Sequence, residues 1–142
     1  FVRPACVKVG AFSDQRREQI VIGRTYNMFV ETGEVKTYGD VAQWIRERYR
    51  RELLAAGGKE CEGKALVISG VVKEVSQSEL WNISSSIKIE LKYQGVVSEF
   101  VGASSQISHA ASESEFTESL YKALDDLMQK SVPTVVANAN GF

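Results

Sequence analysis

The sequence predicts an α+β domain: a mixed, mostly antiparallel sheet of about four to five strands with two helices packed on one face, in the order β-(β)-α-β-β-β-α. Three observations carry this. From Trp81 to Tyr93 the side chains alternate, with Trp81, Ile83, Ile87, Ile89, Leu91 and Tyr93 on one parity and Asn82, Ser84, Ser86, Lys88, Glu90 and Lys92 on the other. Successive strand side chains point to opposite faces, so this strand has one dry and one wet side, interrupted on the dry parity only by Ser85. Two further stretches, after Asp40 and after Ser112, repeat apolar residues at helical spacing and supply the cover a dry sheet face needs.

The chain opens with a strand, Cys6 to Phe12, ended by the polar turn Ser13–Arg17. Gln19 to Gly23 reads as a short second strand or an extended loop. Tyr26 to Val35 reads as irregular, with a turn signal at Glu31-Thr32-Gly33. Asp40 is a good N-cap for a helix whose face is Val41, Trp44, Ile45, Tyr49 and Leu53, and Gly57-Gly58 stops it. After a polar loop, Lys64 to Val75 forms a strand apolar on both faces at Ala65–Ile68, as an interior strand should be. Ser76–Glu79 reads as the turn of an antiparallel hairpin with Trp81–Tyr93. A last strand spans about Gly95 to Ala103, with Gly102 marking a bulge or a strand end. Ser112 and Glu115 form a capping box for the second helix, whose stripe is Phe116, Leu120, Ala123, Leu124, Leu127 and Met128 and which Pro133 is expected to end. If the first strand and Lys64–Val75 are parallel neighbours, the intervening helix is a right-handed crossover.

With 142 residues the chain suits one domain, expected over 1–136 with a frayed tail at 137–142. Hydrophobic residues at 44% and charged residues at 25% exclude a disordered chain. A net charge of −1 gives no global field for nucleic acid or an anionic membrane. No apolar run approaches the ~18–20 residues a membrane helix requires. The opening Phe1–Cys6 holds no signal-peptide core, and an export segment or tether before Phe1 stays open.

No constellation for catalysis emerges. His109 is the only histidine, and the nearby acids Glu113 and Glu115 are accounted for by helix capping. One histidine and two cysteines do not make a metal site, and no glycine pattern for phosphates occurs, so no cofactor is expected. Cys6 and Cys61 precede the two candidate parallel strands and so share one end of the sheet, as a disulfide or as two thiols. Arg46, Arg48, Arg50 and Arg51, mixed with Glu47 and Glu52, read as a solvated helix face. Asp125 and Asp126 diverge by ~100° around the second helix and cannot act as a pair.

Several stretches together resemble a known family. They are Val9-Gly10-Ala11-Phe12-Ser13-Asp14-Gln15-Arg16, then Ile22-Gly23 with Asn27, then Val41, Trp44, Ile45, Glu52-Leu53 and Gly57. Ile68-Ser69-Gly70-Val71-Val72 follows, and Val101-Gly102-Ala103 leads on to Leu120, Leu124-Asp125 and Met128. This layout is similar to the YajG-type bacterial lipoproteins, whose helix-on-sheet form is in turn similar to the TolB N-terminal domain. The lipobox is lacking, since Arg3-Pro4-Ala5-Cys6 has no apolar residue three before the cysteine. The resemblance implies a lipoprotein domain of the Gram-negative periplasm, tethered to the outer membrane through an N-terminal lipid outside this sequence. It implies a non-enzymatic accessory or interaction role with an envelope protein partner, and with that address a Cys6–Cys61 bridge and two thiols are equally expected. Two rival roles stand beside it. One is a small-molecule, lipid or glycan binder with Asn82, Ser84 and Ser86 as a polar sheet platform. The other is an enzyme with His109 as its base.

Overall fold

The computed structural model describes residues 5–17, 21–27, 30–36, 39–79, 81–109 and 112–139. In chain order its elements are β1 (Ala5–Asp14), β2 (Val21–Asn27), β3 (Val30–Lys36), α1 (Val41–Ala55), β4 (Gly58–Lys59), β5 (Leu66–Glu79), β6 (Asn82–Tyr93), β7 (Val96–Ile107) and α2 (Glu113–Asn138). The α+β class and the element order are those the sequence predicts, with the return strand β3 and the short β4 added to the sheet.

The sheet is organised around β5. On one side β6 pairs with it antiparallel from Ser69↔Lys92 to Glu79↔Ile83, and β7 pairs antiparallel with β6. The other side is shared. β1 runs parallel to the first half of β5, from Val7↔Leu66 to Asp14↔Val72, and β2 runs parallel to the second half, from Gly23↔Gln77 to Thr25↔Glu79. β1 and β5 are thus the parallel neighbours that the sequence places on either side of the first helix.

Both helices cover the same face. α1 lies on β1 and β5, α2 lies on β6 and β7, and the two touch each other. The Asp40 carboxylate accepts from Gln43 N at 3.0 Å, and Gly57 leaves the helix at φ 104°, a conformation that penalises a side chain. Ile83, Ile87, Ile89 and Leu91 from β6 are fully enclosed with Ile45, Tyr49 and Leu53 of α1 and Leu124 and Leu127 of α2. At the centre, Tyr49 Oη lies 2.6 Å from Ser131 Oγ, which donates in turn to Leu127 O at 2.7 Å. Burial pushes the Tyr49 phenol well above its ordinary pKa.

A bulge in β1 between Val9 and Phe12 explains an arginine assigned by sequence to a solvated face. The bulge frees carbonyls from the ladder, and Arg46 donates to Val9 O and Gly10 O, both at 2.9 Å. Arg48 bridges Glu52 and Asp125, tying α1 to α2, and Arg50 pairs with Glu60. Phe12, beyond the bulge, lays its ring where a side chain on Gly70 would stand, with an added Cβ 2.7 Å from the ring.

Several boundaries differ from expectation. Ser76–Glu79 is not a turn but the end of β5, because Gln77 and Glu79 point inward and Ser76 and Ser78 outward, a polar alternation that composition alone reads as a loop. β6 starts only at Asn82, and Trp81 is off the dry face, 65% exposed. β7 likewise runs on through Ser104 and Ser105 to Ile107. The described residues of 26–35 belong to β2 and β3, which pair antiparallel, and Gly33 sits within β3 opposite Thr25 instead of in a turn. Residues 19–20 of the expected second strand lie outside the described residues, as do 140–142 of the tail.

Pro133 does not end α2, which continues to Asn138. Proline removes one helix hydrogen bond. Val132, Val135 and Ala139 are buried around and beyond it, so stopping there would expose them. Gly102 is neither bulge nor strand end. It pairs regularly with Ile87, and α2 crosses so close above it that an added Cβ would lie 2.6 Å from Leu127 N.

Candidate functional site

With both helices on one side, the opposite face of β5–β6–β7 is left open, and pairing arranges its side chains in rows. Ser69, Lys92 and Val97 form one row, then Val71, Glu90 and Glu99, then Glu74, Lys88 and Val101. The rows that follow are small: Ser76, Ser86 and Ala103, then Ser78, Ser84 and Ser105, with Asn82 and Ile107 at the end. Lys88–Glu99 and Lys73–Glu90 ion pairs at 3.4 and 3.7 Å lace the charged half. The small half is a shallow trough of about 530 Å³, lined by Ser76, Gln77, Ser78, Ser84, Ser85, Ser86, Ala103, Ser104 and Ser105. Ser84 and Ser86, two of the proposed platform residues, therefore face this trough, and Asn82 stands at its exposed end.

The opposite side of the same segment is polar too, and it is buried. Gln77 Nε2 donates to Ser85 Oγ at 2.8 Å and to Phe116 O at 2.7 Å. Ser85 Oγ lies 2.7 Å from Ser119 Oγ, and Ser104 Oγ donates to Ser119 O at 2.6 Å. Ser85, the one break in the dry parity, is thus a junction between sheet and α2. Every member is satisfied, which makes the cluster structural. The Ser84 hydroxyl donates to Ser105 Oγ at 3.4 Å, and in the neighbouring rows Ser76 Oγ donates to Glu74 Oε1 at 3.3 Å. These outer hydroxyls can both donate and accept.

His109 is exposed at the end of β7, and its backbone N donates to Glu115 Oε2 at 3.1 Å. Glu115 N takes its own cap from Ser112 Oγ at 3.3 Å. Cys6 and Cys61 are joined as a disulfide with a Cα–Cα distance of 5.3 Å, tying β1 to the loop after β4. Asp125 and Asp126 serve opposite sides of α2, one toward Arg48 and the other toward β7. Among the described residues no group of three or more histidine, cysteine or acidic side chains could hold a metal ion.

Sequence reasoning does not find what β7 presents. Of the seven large apolar side chains exposed among the described residues, Val96, Val97, Val101 and Ile107 belong to this one strand, and no described strand pairs with its far edge. The run Val96-Val97, with Val101 on the same parity as Val97, was the available signal.

No family model matches the chain, and no curated protein matches it. Among solved structures it is similar to one described only as an uncharacterized protein, with 11% identity, a TM-score of 0.59, and 96% of this chain and 93% of that chain covered. It is also similar to protein XCC0632 from Xanthomonas campestris, of family DUF330, with 8% identity, a TM-score of 0.55, and 96% and 84% covered. A match to PelC from Paraburkholderia phytofirmans has 19% identity, a TM-score of 0.36, and 88% and 91% covered. At such identities the first two likenesses show the fold alone: this chain shares its α+β architecture with both.

Proposed function

We propose that this chain is a non-enzymatic interaction domain of the Gram-negative periplasm, held at the outer membrane as a lipoprotein, that binds an envelope protein partner through the open face of β5–β6–β7. The observation that carries the reading is the asymmetry of the sheet. One face of β5–β6–β7 carries α2 and meets α1, while the other is bare and holds Val97, Val101 and Ile107 of β7 exposed. Exposed apolar surface rimmed by charge suits protein contact. The Cys6–Cys61 bridge supports an oxidising compartment. Glu115, an acid near His109 in the chain, accepts from the His109 backbone N, as a capping residue does.

Site-specific photo-crosslinking in the native envelope tests this. A crosslinker at Ser84 or Glu90, on the open face, is expected to yield a discrete adduct with an envelope protein, and one at Glu118 on the exposed side of α2 is not. Equal labelling from both positions, or adducts with cytoplasmic proteins, refutes the proposal. A second reading places a hydroxyl-rich ligand such as a glycan in the serine trough beside Asn82, Ser84 and Ser86. It requires thermal stabilisation by envelope glycans that substitution of Ser84 and Ser86 by valine removes. At 100 times Kd a ligand adds ~2.7 kcal/mol.

A further inference from the structure

The free edge of β7 looks like a template for another strand, yet its middle is already occupied. β7 pairs with β6 without a bulge from Tyr93↔Val96 to Asn82↔Ile107, giving a long, regular edge. Such an edge invites pairing with a second chain unless something blocks it. In an antiparallel ladder the backbone groups of alternate residues point to the same side. Ala103 N–H and Val101 C=O point away from β6, because both are bonded to α2. The outward groups are therefore those of Val97, Glu99, Val101, Ala103, Ser105 and Ile107.

An incoming strand would set one N–H on Val101 O and one C=O on Ala103 N–H. Two side chains of α2 already stand in those places. Lys130 Nζ donates to Val101 O at 3.2 Å, Asp126 Oδ2 accepts from Ala103 N at 2.9 Å, and the two side chains pair with each other at 2.7 Å. The Lys130 ammonium and the Ala103 N–H hold the Asp126 carboxyl below the usual aspartate pKa. This clasp imitates the hydrogen bonds of a neighbouring strand at one slot.

The sequence of β7 also indicates which strand would come. Pairing β7 antiparallel with itself about Gly102 sets Val97 opposite Ile107 of a second copy, Val101 opposite Ala103, and Glu99 opposite Ser105. On the open face apolar residues then meet apolar residues, and the only charged side chain of the strand meets a hydroxyl, so no like charges face each other. The dyad of that pairing falls on the Val101–Ala103 slot, where the clasp sits.

We propose that Asp126 and Lys130 guard the edge of β7, and that the edge they close is a self-pairing surface for a second copy of this chain. The test is self-association by sedimentation velocity. The wild-type chain is expected to sediment as a monomer, and Asp126→Ala/Lys130→Ala to associate at least tenfold more tightly. Adding Ser105→Pro, which removes an outward N–H that the second copy needs, is expected to restore the monomer. Glu118→Ala/Lys122→Ala removes the other i,i+4 pair of α2 and is expected to stay monomeric. A double variant that folds yet stays monomeric overturns the proposal. So does a dimer that Ser105→Pro leaves intact, or a wild-type chain already paired through β7. If the double variant does not fold, Lys130→Met keeps the aliphatic stem and strips Val101 O, and it has to self-associate more than wild type for the proposal to stand.

Discussion

Opening the Cys6–Cys61 bridge is the perturbation whose size follows most directly from the structure. The bridge closes a loop across a sequence separation of 55, containing β2, β3, α1 and β4. Cross-linking a loop of that length removes about 14 cal/mol/K from the unfolded chain, or about 4 kcal/mol at 25 °C. At ~2.1 cal/mol/K per residue the whole chain unfolds with an entropy of ~0.3 kcal/mol/K, so the melting temperature is expected to fall by about 14 °C. β4 contributes only the pairs Ala5↔Gly58 and Cys6↔Lys59, and the following loop, Glu60 to Ala65, is half charged, mostly exposed and held to α1 by the Arg50–Glu60 ion pair. Thermal unfolding of wild type with and without a thiol reductant, beside Cys6→Ser/Cys61→Ser, checks this. Reductant is expected to bring wild type down to the double variant and leave the variant unmoved. A wild-type transition unchanged by complete reduction would refute the loop-entropy argument.

Four further substitutions test the local geometry. Gly102→Ala drives a methyl group into the backbone of α2 and is expected to cost about 3 kcal/mol or more. Gly95→Ala meets only the strain of φ 73° in open space and is expected to cost about 1–2 kcal/mol, so urea midpoints separate steric from conformational cost. Tyr49→Phe removes one buried hydrogen bond but leaves Ser131 donating to Leu127 O, so a loss of about 1 kcal/mol is expected in the same assay. Arg16, at 2.7 Å in its ion pair, holds the Asp14 carboxyl below its ordinary pKa of 3.8, first through side-chain hydrogen bonding. The stabilisation it gives is present above that ordinary value and lost as pH falls through the depressed one. Wild type and Asp14→Asn should differ at neutral pH and converge in acid, and a constant difference across that range argues against the linkage.

The elements that sequence makes legible are those in which one periodicity dominates. The alternation of Trp81–Tyr93 predicts β6 to within a residue of its start, and the stripe from Val41 to Leu53 predicts the buried face of α1. What it hides is strand that is polar on both sides. Ser76–Glu79 and Ser104–Gln106 carry no hydrophobic signal, because one side faces water and the other is satisfied by hydrogen bonds to α2. Pro133 misleads for a related reason: a breaker rule concerns the local backbone, and burial of Val135 outweighs it. Within the candidate site, Ser84 and Ser86 were legible from parity. The apolar edge of β7 and its clasp were not, since Asp126 and Lys130 lie more than twenty residues from the backbone they bind.

The buried cluster of Gln77, Ser85, Ser104 and Ser119 resolves an ambiguity that the apolar pattern leaves. A one-residue slip of β6 against β5 turns Lys88 and Glu90 into the core and is excluded by burial alone. A two-residue slip keeps every side chain on its own face, because Ile87, Ile89 and Leu91 share one parity and are nearly interchangeable. That slip moves Ser85 away from Gln77, its partner across the pair Gln77↔Ser85, and leaves a buried amide hydrogen without an acceptor. An unsatisfied buried donor costs about 1–3 kcal/mol, a sizeable share of a small domain's total stability. The polar residues under the trough thereby select the one register in which the serines above them line up across three strands.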